Sequence, residues 1–359
     1  MAEPTANTPA ALGFYMPAEW HPHNSTWLSW PKDPETWPDR VTQVEEIYLQ
    51  MIAALTPHEI VNLLVNDIET EQMVRSRCDP ALAANIRFHQ LQTVDAWVRD
   101  YGPNFLLGPH GELAYNDWIF NAWGNKYEEL KKDDSIPSRL EPILKLRRFS
   151  PGIVMEGGSI EVNGAGCVLT TEQCLLNRNR NPKLSQKEIE QYLKDYLGVT
   201  KVLWLGEGIV GDDTDGHIDD IARFVASDVV VCAVEEDPAD ANYEILQDNL
   251  ARLRSMTDAS GRSFKIITLP MPGTVGGSST AARDLERLPA SYANFYIANS
   301  VVLAPVFGHA NDARAVETLQ KLFFTRRVVP INCEPLVWGM GTIHCVTQQQ
   351  PRSSAFIRG

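Results

Sequence analysis

No stretch of this 359-residue chain approaches the roughly 20 consecutive apolar residues needed to cross a bilayer, so a membrane-spanning protein is not expected. The opening residues, MAEPTANTPAALGFYMP, carry neither a basic start nor an apolar run, so a secretory signal is not expected. Residues 1–12 read as a short disordered leader. Positive charge is scarce: 32 Lys and Arg stand against 46 Asp and Glu, a formal net charge of −14. That excess disfavours nucleic acid and anionic membranes as partners and favours a cationic small molecule. Cys-x-x-Cys pairs are missing too. The six cysteines (Cys78, Cys167, Cys174, Cys232, Cys333 and Cys345) have no zinc-ligand spacing. They read as reduced thiols of a cytoplasmic protein, and neither a metal nor an organic cofactor is expected.

What is present is strand–helix alternation from end to end. Apolar, β-branched runs fall at 60–65 (IVNLLV), 201–206 (KVLWLG), 229–234 (VVVCAV) and 300–307 (SVVLAPVF). Helical patterns lie between them at 41–55, at 185–198 and at 311–324. In the second of these Ser185 and Glu188 form a capping box and Gly198 closes the helix; an Asn-Asp cap opens the third. The alternation predicts an α/β protein. With no long polar linker, residues 13–359 read as one domain, and PMPGTVGGSST (270–280) reads as a surface loop.

Four short polar segments stand out, each beside glycines and an apolar run: AWVRDYGPNF (96–105), VMEGGSIEV (154–162), GDDTDGHIDDIARFV (211–225) and GTIHCVTQQQP (341–351). Each has a bland reading. Cys345 in a glycine-rich strand can be core filler, since a free thiol behaves as a small hydrophobe. His217 and Asp219, two apart on one face of a strand, can be the end of a solvated acidic turn. Glu156 can belong to a hairpin, and Asp100 can pair with Arg99. Taken together they supply a nucleophile, a base and an anionic pocket suited to a planar cation such as guanidinium.

In order, spacing and chemistry these segments resemble the agmatine deiminase branch of the guanidine-modifying, peptidylarginine-deiminase-like family. The likeness extends through MPAEWHPHNSTWLSWP, LTTEQCLLNRNRNP and SYANFYIANSVVLAPVFG. The resemblance implies a five-bladed α/β propeller, the pentein fold, with pseudo-fivefold symmetry and a central site. It implies Cys345 as a nucleophile forming an amidino-thioether, and His217 as the group that protonates departing ammonia and then activates water. Asp100 and Asp219 would grip the guanidinium, and Glu156 would hold it and aid proton transfer. Trp97 and Trp123 would wall the methylene chain, Asp213 would take the distal amine, and Gly341 would leave room beside the thiol. No metal or cofactor is implied, and a homodimer is. Agmatine hydrolysis is the expected reaction; the same fold also serves deiminases of free or peptidyl arginine and amidinotransferases. The chain departs from the family's usual GGGNIHC at Met340 and Thr342, and from its usual GHxDN at Asp220.

Overall fold

A computed structural model describes residues 7–276 and 287–353. Its strands form five separate sheets of three or four strands, none of which closes on itself. The first sheet holds β1 (His23–Ser29), β2 (Ile60–Val65) and β3 (Ile86–Gln90); the second, β4 (Asn104–Leu107), β5 (Leu113–Asn116) and β6 (Arg147–Phe149). The third holds β7 (Glu161–Val162), β8 (Cys167–Thr171) and β9 (Lys201–Leu205), and the fourth β10 (Ala222–Ala226), β11 (Val229–Val234) and β12 (Lys265–Pro270). The fifth holds β13 (Tyr296–Ile297), β14 (Val301–Val306) and β15 (Arg327–Asn332); β16 (Gln348–Pro351) returns to pair with β1.

One topology recurs. In sheets two to five the first strand is antiparallel to the second, and the second is parallel to the third. A parallel neighbour requires a crossover, which a helix supplies each time: Ile136–Leu144, Gln186–Leu197, Tyr243–Ser255 and Asp312–Leu322. The first sheet follows the same plan, with β16 as its antiparallel member, Val41–Leu55 as its crossover, and a further helix, Ile68–Arg77, leading to β3. Central strands such as Val229–Val234 are covered by strands and helices and read as continuous apolar runs.

The local signals account for the helices. Ser185 accepts from the Glu188 backbone while the Glu188 carboxylate accepts from Ser185 N, and Gly198 closes the helix at φ 66°. Ile189, Leu193 and Leu197 form the buried stripe that docks it. The third helix differs in detail from its expected cap. Asn311 makes no capping bond and instead donates to Met271 O, whereas the Asp312 carboxylate accepts from Phe307 N and His309 N.

One expectation needs correction. Residues 8–12 are not a disordered leader: Ala10–Leu12 form a 3₁₀ turn, and Thr8 is buried. Residues 1–6 lie outside the described residues, as do 277–280 of the expected loop. Among the described residues no helix is long and apolar enough to cross a membrane.

The connections between sheets position the site. Five of them, 91–103, 150–160, 206–221, 271–295 and 333–347, lead from the last strand of one sheet to the first strand paired in the next.

Candidate active site

Each of these connections brings polar side chains to one place. The first carries Trp97 and Asp100, on the short helical turn Val98–Tyr101. The second carries Glu156, just ahead of the 3₁₀ turn Gly157–Ser159. His217 immediately precedes a third turn, Ile218–Asp220, which holds Asp219. His217 and Asp219 therefore do not share a strand face, as their spacing suggested; a tight turn brings them together, and Ile218 anchors it in the apolar core. Cys345 likewise lies in a turn ahead of β16 rather than within a strand.

Asp100 is the hub. Its Oδ2 accepts from Trp123 Nε1 at 2.9 Å, its Oδ1 accepts from Gly158 N at 2.9 Å, and that same Oδ1 lies 3.8 Å from His217 Nδ1. Glycine at 158 is what allows this approach. A Cβ there would stand 2.5 Å from His217 Nδ1, 2.9 Å from Asp100 Oδ1 and 3.1 Å from Asp219 Oδ2. Asp219 Oδ2 accepts from His344 Nδ1 at 2.6 Å, while its Oδ1 has no partner. Glu156 Oε1 accepts from Arg180 Nε at 2.7 Å, and its Oε2 is also unpartnered. Both ring nitrogens of buried His217 lack partners. A buried polar atom left unpaired costs free energy, so the unsatisfied oxygens of Asp219 and Glu156 mark a place built to receive a donor-rich group.

The electrostatics agree. Burial pushes the Cys345 thiol well above its ordinary range, and the carboxylates of Asp219, Asp220 and Asp100 push it further. Burial works against charge on His217, yet Asp100, Cys174 and Asp219 carry it well above the usual histidine range. Burial also raises Asp100, partly offset by His217. For Asp219 burial is outweighed by His344, His217 and Arg223, and its carboxyl is held low. Opening from Cys345 and Asp100 is a cavity of about 540 Å³ lined by Trp97, Trp123, Met340 and Gly341. Among the described residues its lining holds seven carboxylates (Asp33, Glu35, Asp95, Asp100, Glu128, Glu129 and Asp213) and one basic residue, Lys126.

Residues 15–351 match the Porphyromonas-type peptidyl-arginine deiminase family. The chain belongs to that family. It is 40% identical over 361 residues to the agmatine deiminase of Ectopseudomonas mendocina, covering 96% of this chain and 97% of that one. The agmatine deiminase of Stutzerimonas stutzeri is 38% identical, with 98% and 99% covered. Among solved structures, the agmatine deiminase of Enterococcus faecalis superposes with a TM-score of 0.90 at 38% identity, covering 96% of this chain and 98% of that one. A substrate-bound agmatine deiminase of C. jejuni gives 0.84 at 28% identity, with 95% and 97% covered.

Several residues that hold the side chains of the site in place have no local signal in the sequence. Asn294, from the fourth connection, donates to Cys345 Sγ at 3.3 Å and to Asp220 Oδ1 at 3.0 Å, and its Oδ1 accepts from Thr342 Oγ1 at 2.7 Å. Two of the three departures from the family pattern, Asp220 and Thr342, thus meet on one amide beside the thiol. The third, Met340, adopts φ 71°, a left-handed conformation that glycine takes without strain. Glu19 accepts from Arg99, Arg223 and His344, so both arginines are consumed by buried ion pairs. Nothing in the sequence pairs Glu19 with residues 80 to 325 positions away. A left-handed turn over Ala122–Asn125, with φ of 54°, 52°, 91° and 66°, delivers Trp123 to Asp100. Such backbone costs about 1–2 kcal/mol per non-glycine residue, and the Trp123–Asp100 bond is one contact that holds it.

Asp213 sits at the rim rather than beside Asp100. Lys126 Nζ is 3.3 Å from it, and its carboxylate also accepts from the Tyr127 hydroxyl. No metal set was expected from spacing, yet the fold brings one ligand atom each of Glu156, Cys174 and His217 within 4.8 Å of one another.

Gly341 separates Trp97 from the thiol: a Cβ there would stand 2.7 Å from Trp97 Cζ3 and 3.2 Å from Cys345 Sγ. Gly341→Ala should therefore lower kcat/KM by at least about tenfold, since a misplacement near 1 Å is costly at a reacting centre. Steady-state kinetics check this, and a change under twofold would contradict it. The thiol makes a second expectation. Because its titration is raised from the ordinary 9.0, the free protein holds little thiolate at neutral pH. Inactivation by iodoacetamide without substrate should be slow at neutral pH and climb about tenfold per pH unit until the pH passes that ordinary value. A rate independent of pH between 6 and 8 would mean a preformed thiolate.

Proposed function

We propose that this chain is an agmatine deiminase, hydrolysing agmatine to N-carbamoylputrescine and ammonia. The observation that carries the reading is a buried thiol opening on an acid-rich cavity with a single basic residue among its described lining, together with the buried, unpaired oxygens of Asp219 and Glu156. The names of the relatives, agmatine deiminases over nearly the whole chain, support it. We also read the five sheets, which repeat one topology, as the five blades of an α/β propeller of the pentein type, formed by a single catalytic unit.

In this reading the guanidinium of agmatine enters between Asp100, Asp219 and Glu156, whose carboxylate oxygens accept its N–H groups, Asp219 Oδ1 and Glu156 Oε2 having no other partner. Its positive charge supplies what the empty site lacks, and the Cys345 proton is released as the cation arrives. The thiolate sulfur bonds to the guanidinium carbon. The C–N bond then breaks as His217, charged in the free protein, gives its proton to the departing nitrogen, and ammonia leaves behind an amidino-thioether. Neutral His217 next takes one proton from water, whose oxygen attacks the same carbon; the C–S bond breaks, the remaining water proton returns the sulfur to a thiol, and N-carbamoylputrescine departs. Asn294 holds the sulfur throughout. Trp97 and Trp123, at 76° to each other with centroids 6.5 Å apart, wall the methylene chain, and the distal amine reaches the acidic rim that includes Asp213.

Substrate choice tests this directly. Free arginine would bring an α-carboxylate to that rim, where Arg99 and Arg223 are already committed to Glu19. An unpaired, partly desolvated charge typically costs about 2–5 kcal/mol, so kcat/KM for agmatine should exceed that for arginine by roughly thirtyfold to a few thousandfold. Asp213→Asn should raise KM for agmatine only a few-fold, because Lys126 already answers that carboxylate. Equal rates, or a preference for arginine, would assign the protein to the arginine deiminases.

A further inference from the structure

We propose that Glu156, Cys174 and His217 form a binding site for a zinc-like divalent cation, and that its occupancy switches the enzyme off. One ligand atom from each of the three lies within 4.8 Å of the other two, and all three side chains are buried. A tetrahedral zinc with bonds of about 2.0–2.3 Å holds its ligand atoms roughly 3.5 Å apart, so closure by about 1 Å completes the site. Cys174 has no part in the reaction assigned above, and Glu156 Oε2 and both nitrogens of His217 have no hydrogen-bond partner. A thiolate, an imidazole and a carboxylate suit a borderline-soft ion; calcium and magnesium prefer all-oxygen sets.

The three ligands are held by a shared scaffold. Thr171 Oγ1 accepts from Cys174 N at 3.2 Å and donates to Gly216 O at 2.6 Å, tying the turn that bears Cys174 to the residue before His217. Arg180 spans the other side, donating to Glu156 Oε1 and to Thr214 O. Metal entry displaces the Cys174 thiol proton and any proton on the ligating nitrogen of His217, both released to solvent, so binding tightens as pH rises. The charged groups facing the site are Asp100 and Asp219 beside His217, and Arg180 beside Glu156 and Cys174. The carboxylates favour the ion and the guanidinium opposes it. Only the inhibition rests on the agmatine reading, through Glu156 and His217; the site itself does not.

Cobalt(II) tests the site without any reaction. In Cys345→Ser protein, which lacks the thiol that lines the cavity, one equivalent of cobalt should give a thiolate-to-metal charge-transfer band that zinc bleaches. Adding Cys174→Ser should remove the band. Absence of the band in Cys345→Ser protein, or its survival in the double variant, would overturn the proposal. With Cys345 intact, Cys174→Ala should need at least about tenfold more zinc for half-inhibition of its own metal-free rate, as expected for loss of a ligand. An unchanged zinc requirement would overturn it equally.

Discussion

Cys345→Ser should lower agmatine turnover by at least about a thousandfold, to near background, because the hydroxyl cannot replace the thiolate as the atom that bonds carbon. The site around it should survive. Asn294, Asp219 and Asp100 remain, so the variant should bind agmatine with little loss, measurable by calorimetry. Cys78→Ser, at a half-buried thiol outside the cavity, should keep full activity. Ammonia release by Cys345→Ser within tenfold of the parent would end the covalent mechanism, and lost binding would mean that the thiol's role is structural.

The carboxylates carry the second large effect. Glu156→Gln and Asp100→Asn each remove a charge-assisted contact to the guanidinium in a site with almost no exposure. Such contacts are worth several kcal/mol in the transition state, or about a hundredfold to several thousandfold in kcat/KM at 1.36 kcal/mol per decade. Glu156→Gln also leaves Arg180 with a weaker partner, although Asp215 and Thr214 O still hold it. Thermal unfolding of the same variant separates the two contributions. A loss of stability with kcat/KM changed less than fivefold would make Glu156 a structural residue.

Much of the fold is legible in the amino-acid sequence. The strands at 60–65 and 229–234 and the helix at 41–55 fall where the apolar periodicity puts them, because each is covered on the faces that the pattern marks. The site acids and the thiol stand out as short polar segments beside glycine, since the chain must turn sharply and approach closely where five connections converge. Their backbone is harder to read. His217, Asp219 and Cys345 sit in turns that look like strands in sequence, because β-branched and apolar neighbours such as Ile218 and Ile343 are needed to bury those turns. The supporting shell is not legible. Glu19, Asn294, Arg180 and His344 act across separations that no local pattern records, and the left-handed turn at Trp123 depends on a bond to a residue 23 positions earlier. Cys174 reads as one more reduced thiol in sequence, and only the fold places it against Glu156 and His217.

The central claim is that agmatine turnover passes through a covalent bond to Cys345. Protein mixed with saturating agmatine, quenched in acid within a turnover and digested, should show an amidino-type adduct on the peptide bearing Cys345. That adduct should disappear as substrate is exhausted and be absent from Cys345→Ser protein. Turnover at the full rate with unmodified Cys345 at every quench time, or an adduct on Cys174 instead, would contradict it.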